Sequence, residues 1–287
     1  MRYCKIFNLL QVHYGIEVFN DYNFLAKHVR KDNSLSLHQH QQLAFDIVNS
    51  LPISSVLDIG SGSISYVSFL GKAFNTNIVD LCQASLENVS ANKKITGALP
   101  TLEIEDKFDF VSALEALEHL NETIYEDSLR EIAKLSKKYI FITSPFLQDL
   151  SSAYVLCDKC QTIYQCEGHC RSFDFKAIEA LQEYFGGVAE FFFIGKPCGN
   201  YFIYAKKTLL KSIIRRTLQK TLQKKYCHPP FTKCPGCGSE MFNNYEEYLN
   251  RKSPLEKVSY WKWREARVVT DRFGALFDKQ MSKTRLY

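Results

Sequence analysis

Between Ser55 and Phe185 strand-type and helix-type segments alternate along this chain with short links, and that alternation constrains the fold more than any other feature. Ser55 to Ile59 reads as a buried strand, followed by a Gly/Ser turn and a helix over Ile64 to Ala73. Asn77 to Leu81 is a second strand, with a helical stretch at Ala84 to Val89 and a weaker strand near Ile95. Phe108 to Ser112 is another strand, and a helix is expected to begin near Ala116. Glu126 to Ser136 reads as helix, Tyr139 to Thr143 as strand and Phe175 to Phe185 as helix. Such repetition argues for an α/β fold with a parallel sheet and helices on both faces. Upstream, Gln41 to Ser50 reads as a short amphipathic helix. Val188 to Ile194 and Tyr201 to Ala205, separated by GKPCGN, read as a closing antiparallel pair.

The chain has 287 residues, 46% hydrophobic and 23% charged, which excludes a disordered, collagen-like or coiled-coil protein. The expected organisation is a helical cap over 1–40, a main domain over 41–207 and a tail over 208–287. No apolar run reaches the roughly 18 residues of a membrane span, and no signal pattern stands out at the start. Reducing cytosol is therefore the expected setting. The net charge of +5 hides a split: 17 basic and 24 acidic residues through Ala205, then 19 and 7 from Lys206 onward. A basic tail on an acidic body suits an anionic partner there, such as the inner membrane surface or, less so, nucleic acid. It suits equally well a solvated or docked helix face.

VLDIGSGSISY, Val56 to Tyr66, puts a glycine turn at the carboxyl end of the first strand, where open sheets bind ligands. Gly60 and Gly62 allow backbone to approach a ligand with no side chain in the way. Asp80 ends the next strand, where a carboxylate can accept from two ribose hydroxyls. That spacing serves any nucleotide binder, dehydrogenases included. The dinucleotide pattern, however, wants a third glycine where Ser65 stands. Asp58 also suits a ligand with an ammonium group better than a pyrophosphate. Both details point to S-adenosylmethionine rather than NAD.

Over about Gln41 to Lys207 these motifs resemble the class I S-adenosylmethionine-dependent methyltransferases. Asp58, Gly60 and Gly62 match the family's first motif, with Ile64 at its third glycine position, and Asp80 matches its ribose acid. FDFVSALEALEHL, Phe108 to Leu120, is similar to its fourth motif, and TSPF, Thr143 to Phe146, to the end of its fifth strand. The resemblance implies a Rossmann-like, seven-stranded methyltransferase sheet. The acid usual near adenine would fall at Ala98 and Leu99, where there is none, so Leu99 would hold the base by apolar contact.

Glu115, Glu118 and His119 form E-x-x-E-H directly after the fourth strand. A helix starting there would put Glu115 and His119 on one face at i and i+4, with Glu118 beside them. Two carboxylates and an imidazole can hold a divalent ion or share a proton. Glu115 is expected beside the cofactor. Glu118 and His119 are expected at the acceptor, joined by His169 of GHCRSF. The arrangement resembles ubiquinone O-methyltransferases and small-RNA 2′-O-methyltransferases, which implies Mg²⁺ as one role and simple pocket lining as the other. The family's (N/D)PP(Y/F) and Pro-Cys signatures are missing, which disfavours amino or carbon-5 targets on nucleobases. The expected reaction is in-line transfer to a hydroxyl of a glycan, glycolipid precursor or small molecule. RNA 2′-O-methylation and a non-catalytic scaffold are the alternatives. The basic tail and the Tyr260–Trp263 cluster feed the first, whereas the intact Asp58, Gly60, Gly62 and Asp80 set opposes the second.

Two C-x-x-C pairs, Cys157/Cys160 and Cys234/Cys237, can supply four thiolates to a structural zinc. Cys166, His169, Cys170, Cys227 and His228 keep a different ligand set open. Redox use is disfavoured because neither pair opens a helix. CxxC followed by GHxRSF resembles a bacterial methyltransferase branch associated with glycan or envelope precursors. Thr208 to Lys225 reads as a helix with Leu210, Ile214, Leu218 and Leu222 on one stripe.

Overall fold

Apolar residues at consecutive positions mark strands covered on both faces, and the computed structural model of the protein places such strands at its centre. It describes residues 37–63, 65–197, 231–242, 260–262 and 270–286. β1 (Ser55–Ile59) and β4 (Phe108–Leu114) are buried at every position. Beside them lie β2 (Asn75–Asp80), β3 (Lys93–Thr96) and β5 (Ser136–Pro145). β8 (Gly187–Pro197), β11 (Tyr260–Lys262) and β12 (Thr270–Asp278) complete a sheet of order β11-β8-β12-β5-β4-β1-β2-β3. β12 runs antiparallel to both β5 and β8, while β1 to β5 pair in parallel. The expected seven-stranded Rossmann-like sheet is present, with the short β11 added at one edge.

Alternate residues of each strand feed two cores. Leu57, Val79, Val111, Ile140, Ile142 and Phe193 face α3 (Glu122–Leu135) and α4 (Phe175–Phe185). Val56, Ile78, Phe110, Phe141, Phe192 and Ile194 face α1 (Gln39–Ser50), whose Leu43, Ala44, Ile47 and Val48 are buried. Asp174 caps α4 by accepting from the Ala177 N–H, which sets the helix start where the sequence predicts it. The short α2 (Gln83–Glu87) links β2 to β3.

Three expectations change. The helix expected over Ile64 to Ala73 is one 3₁₀ turn, Tyr66–Phe69, and Ile64 lies outside the described residues. Ser65 explains this: its hydroxyl donates to Asp58 Oδ2 at 2.7 Å while accepting from the Val67 N–H, which holds the turn against β1. The helix expected from Ala116 is also a single 3₁₀ turn, Leu117–His119. Glu115 has φ of 54°, and Asn121 caps a separate α3 by accepting from the Thr123 and Ile124 N–H groups. Finally, 208–287 is not all appendage. β12 occupies the slot between β5 and β8, where the buried Phe273, Ala275 and Phe277 complete the core. The other side of β8 carries β11. The expected partner Tyr201 to Ala205, most of the 1–40 cap, the 208–225 helix and Trp263 lie outside the described residues.

Candidate functional site

At the carboxyl end of β1 the chain turns sharply through Gly60 (φ 72°) and Gly62 (φ 61°), a region favourable to glycine. Gly60 N–H donates to Val79 O at 2.8 Å, and Gly62 N–H to Asp80 Oδ2 at 2.8 Å. The Cys82 N–H takes Asp80 Oδ1 at 2.8 Å. Asp80 thus ties the turn to β2, and each of its oxygens has acceptor capacity left for a ligand hydroxyl. Burial holds its pKa above the usual carboxylate range. A Cβ on Gly60 would lie 3.2 Å from Ala116 Cβ, whereas one on Gly62 would meet open space. Gly60 therefore lets the segment after β4 close against the turn. Leu99 is half-buried against the core, in a loop that begins where the Gly97 N–H donates to Asp80 O.

Asp58 takes a different part from the expected ammonium partner. It is 1% exposed, and its oxygens accept from Ser65 Oγ at 2.7 Å and Ser112 Oγ at 2.6 Å. Tyr66 Oη lies 2.7 Å from the same Ser112 hydroxyl. Burial raises the Asp58 pKa to about 6, against the two hydroxyl hydrogen bonds. The carboxyl props the turn from beneath.

Glu115 also departs from the expected helical face, because its backbone is left-handed. Its Oε2 accepts from Arg272 Nε at 2.8 Å, across from β12, while its buried Oε1 has no hydrogen-bond partner among the described residues. Glu118 points inward and is 1% exposed. Ser144 Oγ donates to its Oε2 at 3.0 Å, and Oε1 is buried without a partner among the described residues. Burial first, then the charge of Glu115, pushes the Glu118 pKa well up.

His119 and His169 meet edge to face with ring centroids 4.7 Å apart. Each of Glu118, His119 and His169 offers a ligand atom within 4.8 Å of the others'. Burial keeps both imidazoles neutral, lowering His119 and taking His169 down to about 3. The sequence does bring these three together. Glu115 stands beside them rather than in the group.

Sequence reasoning missed His40, Arg272, Ser144 and Gln148. His40 opens α1, stacks on His38 at 5.7 Å and is lowered to about 4, chiefly by burial, with Glu115 opposing the shift. The run HQH at the head of an amphipathic helix was the available signal. Gln148 lies 2.7 Å from His169 Nδ1.

A second cluster lies on the loop between β5 and α4. β6 (Tyr154–Leu156) and β7 (Ile163–Gln165) form a ribbon carrying Cys157 and Cys160 at its tip. β9 (Phe231–Lys233) and β10 (Glu240–Phe242) form another, carrying Cys234 and Cys237. The two tips repeat one turn: Gln161 N–H donates to Cys157 O at 2.9 Å, and Gly238 N–H to Cys234 O at 2.8 Å. Cys157 Sγ is 3.7 Å from Cys237 Sγ, and Cys160 Sγ is 3.5 Å from Cys234 Sγ. Four sulfurs about 2.3 Å from one zinc would stand about 3.8 Å apart, and a disulfide about 2.05 Å. These two spacings suit a tetrahedral thiolate site. Gly236 fits because a Cβ there would collide with Thr162 Oγ1. Hydrogen bonding from Thr162 favours the Cys160 thiolate, drawing its pKa to about 6. Of the alternative ligands, Cys166 and Cys170 lie outside this group, and Cys227 and His228 lie outside the described residues.

No family model and no curated protein matches the chain. Among solved structures it is similar to a SAM-dependent methyltransferase from Archaeoglobus fulgidus, at 15% identity over 90% of this chain and 100% of that one, TM-score 0.46. A second S-adenosylmethionine-dependent methyltransferase, from Clostridium acetobutylicum, is 13% identical over 91% and 99%, TM-score 0.45. An amino pentose methyltransferase from Micromonospora echinaspora is 16% identical over 38% of this chain and about half of its own length (51%), TM-score 0.33. Among the described residues no helix is long and apolar enough to cross a membrane.

Proposed function

We propose that the protein is an S-adenosylmethionine-dependent O-methyltransferase. The observation that carries this reading is the joining of two half-sites at Gly60, where the glycine turn held by Asp80 abuts the segment bearing Glu118 and His119. The turn and Asp80 would take the nucleoside, with Leu99 against the base. Glu118, His119 and His169 would face the acceptor. S-adenosylmethionine, when bound, would supply an electrophilic methyl group for the acceptor oxygen and keep the carbon–sulfur electron pair on its sulfur. The hydroxyl proton leaves to a base. His119, neutral and half-buried, would take that role, which is worth about 10²–10⁴-fold in rate, whereas the lower pKa of His169 makes it the weaker base.

The same group fits a divalent ion. Glu118 Oε1 is a buried carboxyl oxygen with no partner among the described residues, and the imidazoles of His119 and His169 would complete a three-donor set. Such an ion would lower the pKa of a bound hydroxyl. Two nitrogen donors suit a first-row transition ion such as Mn²⁺ better than Mg²⁺, which prefers oxygen. The four cysteines would hold a structural zinc. A hydroxyl of a sugar, glycolipid precursor or other small molecule is the acceptor this site suits.

Calorimetry with S-adenosylhomocysteine tests the cofactor half. Asp80→Ala should weaken binding by about 1.5–3 kcal/mol, the range for hydrogen bonds to a charged group. Equal affinity in both proteins would remove Asp80 from the site. Methyl transfer from labelled S-adenosylmethionine to diol-bearing sugars and to short RNA, with and without chelator and Mn²⁺, tests the acceptor half.

A further inference from the structure

Gln148 stands just past β5, at the base of the loop that carries His169, and its two ends have different partners. Nε2 donates to Glu167 Oε2 at 2.9 Å, and Oε1 lies 2.7 Å from His169 Nδ1. A carboxylate can only accept, so Glu167 fixes which end of the amide is the NH₂. The carbonyl end then faces the imidazole, and a carbonyl can only accept. Nδ1 must therefore carry the ring proton, which leaves Nε2 with the lone pair.

Gln165 braces the same arrangement. Its Nε2 reaches Glu167 Oε2 at 3.5 Å, and its Oε1 accepts the His169 backbone N–H at 3.0 Å. The 3.8 Å approach of Glu167 to Nδ1 is too long for a hydrogen bond, so the amide is the direct partner. His119 reaches the same tautomer more simply, with Nδ1 3.3 Å from Gly168 O. Both rings then offer Nε2.

We infer that Gln148, held by Glu167, is a positioning residue: it fixes His169 in its Nδ1–H form and so makes Nε2 the atom offered to an ion or to an acceptor proton. The inference rests on the reading that His169 belongs to the acceptor site, but its test does not. Partners of this kind orient ligand histidines, and their loss typically costs 10–100-fold in metal affinity.

Nitrogen-15 histidine NMR on the full chain reads the tautomer directly. Wild type should show Nδ1–H at His169. Gln148→Met, close in shape but unable to accept, should lose that preference. Gln148→Glu, which keeps an acceptor, should retain it. Mn²⁺ affinity by electron paramagnetic resonance should fall 10–100-fold in Gln148→Met and stay within a few-fold in Gln148→Glu. Melting by circular dichroism checks that each variant folds. A proton on Nε2 in wild type, or an unchanged tautomer in Gln148→Met, overturns the inference. If Gln148→Met fails to fold, wild type and Gln148→Glu decide it. If no protein binds Mn²⁺ while the tautomers behave as stated, the metal reading fails and the positioning role stands.

Discussion

Replacing Glu118 by Gln should move stability in opposite directions with and without metal. In the free protein the carboxyl is 1% exposed, shares the neighbourhood of Glu115 and leaves Oε1 without a partner among the described residues. An unsatisfied buried group costs about 1–3 kcal/mol, more when charged. The amide still accepts from Ser144, and its NH₂ faces two neutral imidazoles that can accept. Above the pH at which Glu118 ionises, Glu118→Gln should therefore stabilise the metal-free protein by about 1–3 kcal/mol, or roughly 2–10 °C in Tm. Mn²⁺ at 100 times its dissociation constant would stabilise wild type by about 2.7 kcal/mol, roughly 5–10 °C. The variant lacks the charged ligand and should lose most of that shift. Scanning calorimetry of chelated and Mn²⁺-loaded samples measures all four values. A variant that melts lower than wild type without metal, yet gains as much from Mn²⁺, refutes the reasoning on both counts.

Purified protein should contain about one zinc per chain by elemental analysis. Cys234→Ser should lose it and loosen the 231–242 ribbon, since metal energy at such sites is folding energy; unchanged zinc in that variant would rule out the four-thiolate set. Asp58 predicts a pH trend: its folded pKa of about 6 lies above the ordinary value of 3.8, so its contribution is fully present below pH 4 and lost as pH rises to 6. That amounts to about 3 kcal/mol, at 1.36 kcal/mol per pKa unit. Urea melts of Asp58→Asn should show a flatter profile over that window than wild type, and parallel profiles would contradict the assignment.

Local pattern carried much of the fold. β1 begins and ends as predicted because five buried residues lie between a polar turn and a glycine turn, and α4 does so because Asp174 caps it. The 3₁₀ turn at Tyr66–Phe69 was hidden because Ser65 bonds Asp58, a tertiary contact that outweighs a helical period. β12 was hidden because a run buried on both faces alternates in nothing. Its partners on β5 lie more than a hundred residues earlier. The site divides the same way. Asp80 and the Glu118–His119 pair sit at motif spacings next to strand ends. Arg272 meets Glu115 only because β12 enters the sheet from the far end of the chain, and no local spacing encodes that meeting.

The loop from Leu147 to Ser172 joins the two centres. It is closed at its base by the bridge between Phe146 and Phe173 and by Leu147 N–H donating to Phe173 O at 2.8 Å. A loop this long needs a source of order, and a ribbon of three residues a side is marginal alone. Two anchors supply it here. At one end the ribbon tip meets the sulfurs of Cys234 and Cys237. At the other the Cys170 N–H donates to Glu118 O at 2.7 Å, and Arg171 holds Leu120 O while its guanidinium stacks 3.4 Å over Tyr125. His169 sits directly before that second anchor, with Gln165 at the root of the ribbon bonding its backbone. The position of His169 therefore depends on a segment some seventy residues further along the chain. A thiolate-bound zinc at the tip would hold the loop in register without spending core volume on it.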